Sequence, residues 1–144
     1  MPRFSAAAGS RRSVPREAVN PGWDVSRLTF SPAVRHGDTL YVSGLLATGD
    51  DRQVLHPGDM AAQLRVIYAR LAEILAAAGG TLDDVVMTRE YVTTLDGYKA
   101  TADVRREVFR EPFPAAVGVV VAGLVHRDAL IELEAVAELG SRSR

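Results

Sequence analysis

Glu132, Ser43 and the adjacent pair Arg89-Glu90 are polar side chains set in otherwise apolar stretches. Such positions hold groups whose chemistry depends on partial removal from water. Glu132 stands in Leu130-Ile131-Glu132-Leu133-Glu134-Ala135-Val136-Ala137. A partly desolvated carboxylate there can aim a water at an electrophilic carbon and manage its proton; the alternative is a rim carboxylate in a subunit salt bridge. Glu134 shares its face, because strand side chains alternate with a period of two. It either raises the Glu132 pKa or faces solvent or an interface. Ser43 precedes Gly44, where the backbone can approach a ligand closely. The sequence sets no histidine beside it, so a hydrogen-bonding role is expected rather than a nucleophilic triad. Arg89 and Glu90 either pair across a subunit boundary or send one charge into a cleft. Gly118, within an apolar strand, either exposes backbone groups or marks close packing or a bulge.

The elements that must position these residues follow from periodicity and turn chemistry. Arg27 to Pro32 and Thr39 to Ser43 read as short strands around the turn Arg35-His36-Gly37-Asp38. In the second, Leu40 and Val42 face one way and Thr39, Tyr41 and Ser43 the other. Asp59 reads as an N-cap for a helix whose stripe is Met60, Leu64, Ile67, Leu71, Ile74, Leu75 and Ala78, ended by Gly79-Gly80. Val85 to Thr94 is a β-branched strand. Asp96 is expected to cap a second helix from about Gly97 to Phe109, broken by Pro112 and Pro114. Ala115 to Leu124 and Leu130 to Glu138 complete a β-β-α-β-α-β-β order. An α+β fold follows, a mixed sheet with two helices on one face. Tyr41, Val117, Val119 and Val121 then lie on a face that no third helix covers, which an oligomer packing its sheets inward would bury.

A chain of 144 residues is one domain by length, burying roughly two thirds of its unfolded surface. Residues 1–22 mix Ser, Ala, Arg, Pro and Gly without a period and are expected to be a flexible arm, leaving 23–144 as the single domain. Arg3, Arg11, Arg12 and Arg16 make that arm basic, yet the formal net charge is −1, which argues against a nucleic-acid partner. Trp23 is expected to anchor the arm to the body. There is no cysteine, which excludes disulfides and thiolate chemistry. No apolar run approaches membrane-span length and the start lacks a long signal-like core, so no membrane partner and a cytoplasmic location are expected. His36, His56 and His126 fall in turns or loops without ligand spacing, so no metal is implied. The glycines form no dinucleotide or phosphate fingerprint, so no cofactor is implied.

Several short motifs, in order, resemble the RidA (YjgF) family from about Phe30 to Ala137. They are Phe30-Ser31-Pro32-Ala33-Val34-Arg35-His36-Gly37-Asp38, Tyr41-Val42-Ser43-Gly44, Ala77-Ala78-Gly79-Gly80-Thr81-Leu82-Asp83-Asp84-Val85-Val86, Phe113-Pro114-Ala115 and Ile131-Glu132-Leu133-Glu134-Ala135-Val136-Ala137. The resemblance implies a chorismate-mutase-like fold, a homotrimer with small-molecule substrate clefts at subunit interfaces, and cofactor-independent hydrolysis of reactive enamines or imines. By motif, Ser43 and Glu132 match the family's serine and glutamate, Phe30 its aromatic lid, and Val117-Gly118 the backbone segment at the substrate. The family's substrate-clamping arginine falls on Ala116, and its asparagine on Ala102 or Asp103. Arg89 and Arg105 are the candidate replacements, since a planar guanidinium suits a carboxylate. Loss of the clamp points away from standard small 2-imino acids. A non-catalytic ligand-binding or regulatory protein and, with little local support, a ribonuclease are the competing readings.

Overall fold

Alternation of buried and open side chains builds the sheet. Ile131, Leu133, Ala135 and Ala137 are buried and the intervening Glu132, Glu134, Val136 and Glu138 are half-buried, so this strand has one core face and one open face. The computed structural model describes residues 12–140. Among them the strands are β1 (Arg16–Val19), β2 (Ala33–His36), β3 (Thr39–Leu45), β4 (Val85–Val92), β5 (Ala115–Val120) and β6 (Ile131–Glu138), with α1 (Met60–Ala77) and α2 (Thr101–Val108). They form one sheet in the order β1-β2-β3-β6-β4-β5. All neighbours are antiparallel except β4 and β5, whose parallel pairing is made possible by the crossover through α2.

The expected mixed α+β fold is present. Asp59 caps α1, its carboxylate accepting from the Ala62 N–H at 3.0 Å. Met60, Leu64, Ile67, Leu71, Ile74 and Leu75 are buried with Leu40, Val42, Ile131, Leu133 and Ala135 of the sheet. Gly79, at φ 80°, closes the helix in the left-handed conformation that glycine tolerates. The opposite sheet face carries Tyr41, Val117 and Val119, 53%, 42% and 42% exposed.

Four expectations are corrected. Part of the segment read as a flexible arm is the strand β1, which pairs with β2 from Arg16↔His36 to Val19↔Ala33; Arg3 and Arg11 of the arm lie outside the described residues. Arg27 to Pro32 is not a strand: the chain turns there, and the strand is Ala33–His36, which also takes His36 out of the expected turn. His36↔Thr39 pairing leaves only Gly37-Asp38 to turn the hairpin, and Gly37 supplies φ 63°. Asp96 does not cap the second helix. Gly97, at φ 78°, begins a 3₁₀ turn at Tyr98–Ala100 that runs into α2 without a side-chain cap. Trp23 does anchor its segment: its indole N–H donates to Glu73 at 3.0 Å and the Arg70 guanidinium lies 4.3 Å from the ring centre.

Candidate functional site

The register divides the expected site residues between the two faces of the sheet. Glu132 is paired with Tyr91, and Glu134 with Arg89, so these four side chains share the open face beside Val117. Ser43 and Tyr41 extend that face onto β3. Leu133 is paired with Glu90 and Glu90 with Gly118, a row whose side chains point toward the helices. Ala116, opposite Thr88, belongs to that side as well.

On the open face Glu132 is half-buried. Its carboxylate lies against the backbone of Gly44, occupying space that a β-carbon at that position would need. The β3–β6 register shifts between Val42 and Leu45, so Gly44 sits in an irregularity of the ladder. Among the described residues the Glu132 carboxylate is in no ion pair. Burial raises its pKa above the ordinary carboxylate value, His126 draws it back down and Glu134 adds to the rise. Glu134 accepts from the Tyr91 hydroxyl and lies 3.9 Å from the Arg89 guanidinium. Arg89 is therefore engaged beside Glu134 and does not line the cavity on the helix side of the sheet. The Ser43 hydroxyl donates to the Ser31 carbonyl at 2.6 Å, and the Ser43 N–H to the Pro32 carbonyl at 3.0 Å. Phe30, in the segment just before, is 58% exposed.

On the helix side a cavity of about 270 Å³ opens between β4, β5 and α2. Phe109, Phe113, Pro114 and Ala116 supply much of its apolar wall; Glu90, Tyr98 and Arg105 supply its polar end. Val117 and Gly118 contribute the edge strand, which has no neighbour on its outer side among the described residues. Glu90 is 1% exposed and bound side-on by Arg105, Nε to Oε1 at 2.9 Å and Nη2 to Oε2 at 2.7 Å. The Tyr98 hydroxyl donates to Glu90 Oε2 at 3.1 Å. Arg105 Nη2 also reaches the Tyr98 hydroxyl at 3.2 Å and Thr101 Oγ1 at 3.1 Å. This bond to Glu90 raises the Arg105 pKa against the opposing effect of burial. Burial, and then the charge of Glu90, raises the pKa of Tyr98. Gly118 is what admits the phenol, since a β-carbon there would meet the Tyr98 hydroxyl.

Glu90 and Arg105 thus come together with Val117 and Gly118, whereas Glu132, Ser43 and Arg89 lie on the other face. Tyr98, Tyr91 and His126 were missed from the sequence. Tyr91 was recoverable from alternation with Arg89. Tyr98 and His126 were not, because a turn and a loop bring them in and neither has a period.

The family model described as Endoribonuclease L-PSP matches residues 25–139. The chain is 37% identical over 127 residues to 3-aminoacrylate deaminase RutC of Acinetobacter baylyi, covering 88% of this chain and all of that one. Among solved structures it is similar to Rv2704 of Mycobacterium tuberculosis, a member of the YjgF/YER057c/UK114 family, with a TM-score of 0.73 at 34% identity, covering 87% of this chain and 100% of the other. RidA from the Antarctic bacterium Psychrobacter sp. PAMC 21119 gives a TM-score of 0.74 at 27% identity, covering 90% and 100%. From Val25 to the end of β6, in sequence and in fold, this chain belongs to the Endoribonuclease L-PSP family, the family of the YjgF and RidA proteins.

Proposed function

We propose that the protein hydrolyses the C=N bond of a small enamine-derived imine, giving a carbonyl compound and ammonia. The observation that carries this reading is the half-buried Glu132 carboxylate, unpaired among the described residues, raised in pKa and seated on Gly44. A relative at 37% identity that is named a 3-aminoacrylate deaminase supports the reaction class.

The enamine tautomerises to the imine, and water adds to the imine carbon. Glu132 takes a proton from the attacking water and passes it to nitrogen, giving the tetrahedral carbinolamine; it then moves the hydroxyl proton of that adduct to the same nitrogen, so that the C–N bond breaks, ammonia leaves and the carbonyl forms. A carboxylate held above its ordinary pKa suits both halves of that transfer. The Ser43 hydrogen is committed to Ser31, so the serine oxygen faces a ligand as an acceptor, suited to an imine N–H. Phe30 is exposed and can cover the ligand, and the outer edge of β5 at Val117-Gly118 offers backbone groups unpaired among the described residues.

The two groups of site residues lie on opposite faces of one sheet, so a single small substrate does not reach both within one chain. A homotrimer completes the cleft in this reading, with Glu132, Ser43 and Phe30 from one protomer facing the Ala116–Gly118 edge of a neighbour. The exposed Tyr41, Val117 and Val119 are the apolar surface that such packing would bury. Ala116 stands where a clamping arginine is expected, so a standard 2-imino acid is the poorer substrate. The ribonuclease reading gains nothing from a formal net charge of −1.

The test is turnover of imines generated in situ by an amine oxidase, which carry no carboxylate, with 3-aminoacrylate and 2-imino acids as the poorer substrates and Glu132→Gln as the comparison. The amide keeps the shape and removes the base. A loss of about 10²- to 10⁴-fold is expected. Undiminished turnover by the variant would remove Glu132 from the reaction.

A further inference from the structure

The cavity between β4, β5 and α2 has a guanidinium at its polar end, yet its geometry is unlike that of an anion clamp. Glu90 takes the side-on edge of Arg105, the Nε and Nη2 pair that would bind a carboxylate in two parallel bonds. Nη2 spends its remaining hydrogen on the Tyr98 hydroxyl and Thr101. Nη1 makes no hydrogen bond among the described residues, and the buried Tyr68 hydroxyl, near the same guanidinium, makes none either. The Arg105 side chain keeps 25% of its surface exposed and Glu90 keeps 1%, so the positive partner is the more open of two groups that line the polar end together. The charges cancel. A ligand carboxylate brought to Nη1 would be held by one bond, with the fixed carboxylate of Glu90 on the far side of the same guanidinium. Two carboxylates sharing one cation leave a net negative charge away from water, which is the costly arrangement.

A neutral carbonyl or amide oxygen has no such cost. It accepts from Nη1 and leaves the Glu90–Arg105 balance intact. The wall supplies the rest of the selectivity, with Phe109, Phe113, Pro114 and Ala116 lining a space of about 270 Å³, enough for one ring or a short hydrocarbon group. Gly118 leaves room for the Tyr98 hydroxyl, a further part of the polar end.

We infer that Glu90 is a specificity-determining residue: by cancelling Arg105 it makes this cavity select an uncharged, partly apolar substituent ending in a neutral acceptor, and reject a carboxylate. The substrate class is thus an imine whose recognised group is an amide, ester, ketone or aryl function rather than an acid. The inference rests on the hydrolytic reading for the word substrate. The cavity's ligand preference stands apart from it and is measured without turnover.

The probes are benzamide and benzoate, which share a shape and differ in charge, titrated into the full chain and followed by ligand-observed NMR. Native protein is expected to bind benzamide at least tenfold more tightly than benzoate. Glu90→Gln keeps a hydrogen-bonding group beside Arg105 and removes the compensating charge, so benzoate affinity should rise at least tenfold while benzamide changes little. Removing one partner of a buried pair threatens folding. Ala116→Arg therefore supplies a second route, adding a second guanidinium to the cavity wall while both members of the pair stay in place, and should likewise admit benzoate. Equal binding of the two probes by native protein, binding of neither, or an unchanged ratio in the folded variants would overturn the inference. Failure of the hydrolytic reading would appear elsewhere, as turnover indifferent to Glu132→Gln.

Discussion

The Glu132 carboxylate of β6 rests on the backbone of Gly44 in β3, in the space that a side chain at position 44 would occupy. Strand alternation puts Glu132 on the open face, but Gly44 fixes where on that face the carboxylate can lie. The glycine therefore has a role beyond its place in the irregular stretch of the β3–β6 ladder: it is the seat of the proposed base.

Gly44→Ala should displace that carboxylate and lower kcat/KM on an imine substrate by about 10²-fold, the cost of a misplacement on the order of 1 Å. The effect should vanish in a Glu132→Gln background, since two changes acting through one group do not add. Steady-state kinetics on the two single variants and the double variant checks it. Full additivity would show that Gly44 acts by another route.

Burial raises the Glu132 pKa above its unfolded value, so the native state binds that proton more tightly than the unfolded state does. Its contribution to stability is then most favourable below the unfolded carboxylate pKa and is lost as pH rises through the folded one. Glu132→Gln should accordingly melt at a higher temperature than native protein at neutral pH, with the difference shrinking on acidification. Turnover runs the other way. The base works ionised, so native kcat/KM should fall as pH drops through the raised pKa, and the variant's residual rate should lack that limb.

Light scattering of native protein should give three times the 15.5 kDa chain mass. Val119→Glu puts a charge on the apolar open face and should shift the protein toward monomer with loss of activity, while the intrachain fold survives by circular dichroism. A monodisperse native monomer at micromolar concentration would remove the shared cleft.

Truncation through Asn20 deletes β1 and its pairing with β2, along with Val19, which packs against the core. A loss of about 1–2 kcal/mol, lowering Tm by roughly 4–8 °C, is expected relative to a truncation ending at Arg11, which spares the strand. Equal melting of the two would make β1 dispensable.

The parts of the fold that a local pattern dictates were legible in the sequence. The apolar stripe and Asp59 cap of α1, the alternation of β3 and β6, and the apolar run of β5 each follow from a period or a cap. β1 was not legible. Arg-Glu-Ala-Val is too short and too polar to announce itself, and becomes a strand only because β2 offers an edge. The site shows the same division. Arg89 and Glu90 were singled out as charges in an apolar strand, but a period of two sends neighbours to opposite faces, and only the register says which partner each finds. Arg105 stands out in the sequence for its planar fork. That the fork is already closed by Glu90 depends on α2 lying over β4, a tertiary fact with no local signature.

Gly118 and Tyr98 occupy each other's space, one by lacking a β-carbon and the other by filling the gap with a hydroxyl. Change at these positions consequently has an order. In a lineage that keeps the phenol in place, no side chain enters at 118 without displacing it. Once the phenol is lost, any residue that settles at 118 bars its return. The pair works as a ratchet, so a descendant with another side chain at 118 and a smaller residue at 98 would reach the present arrangement again only by first emptying position 118.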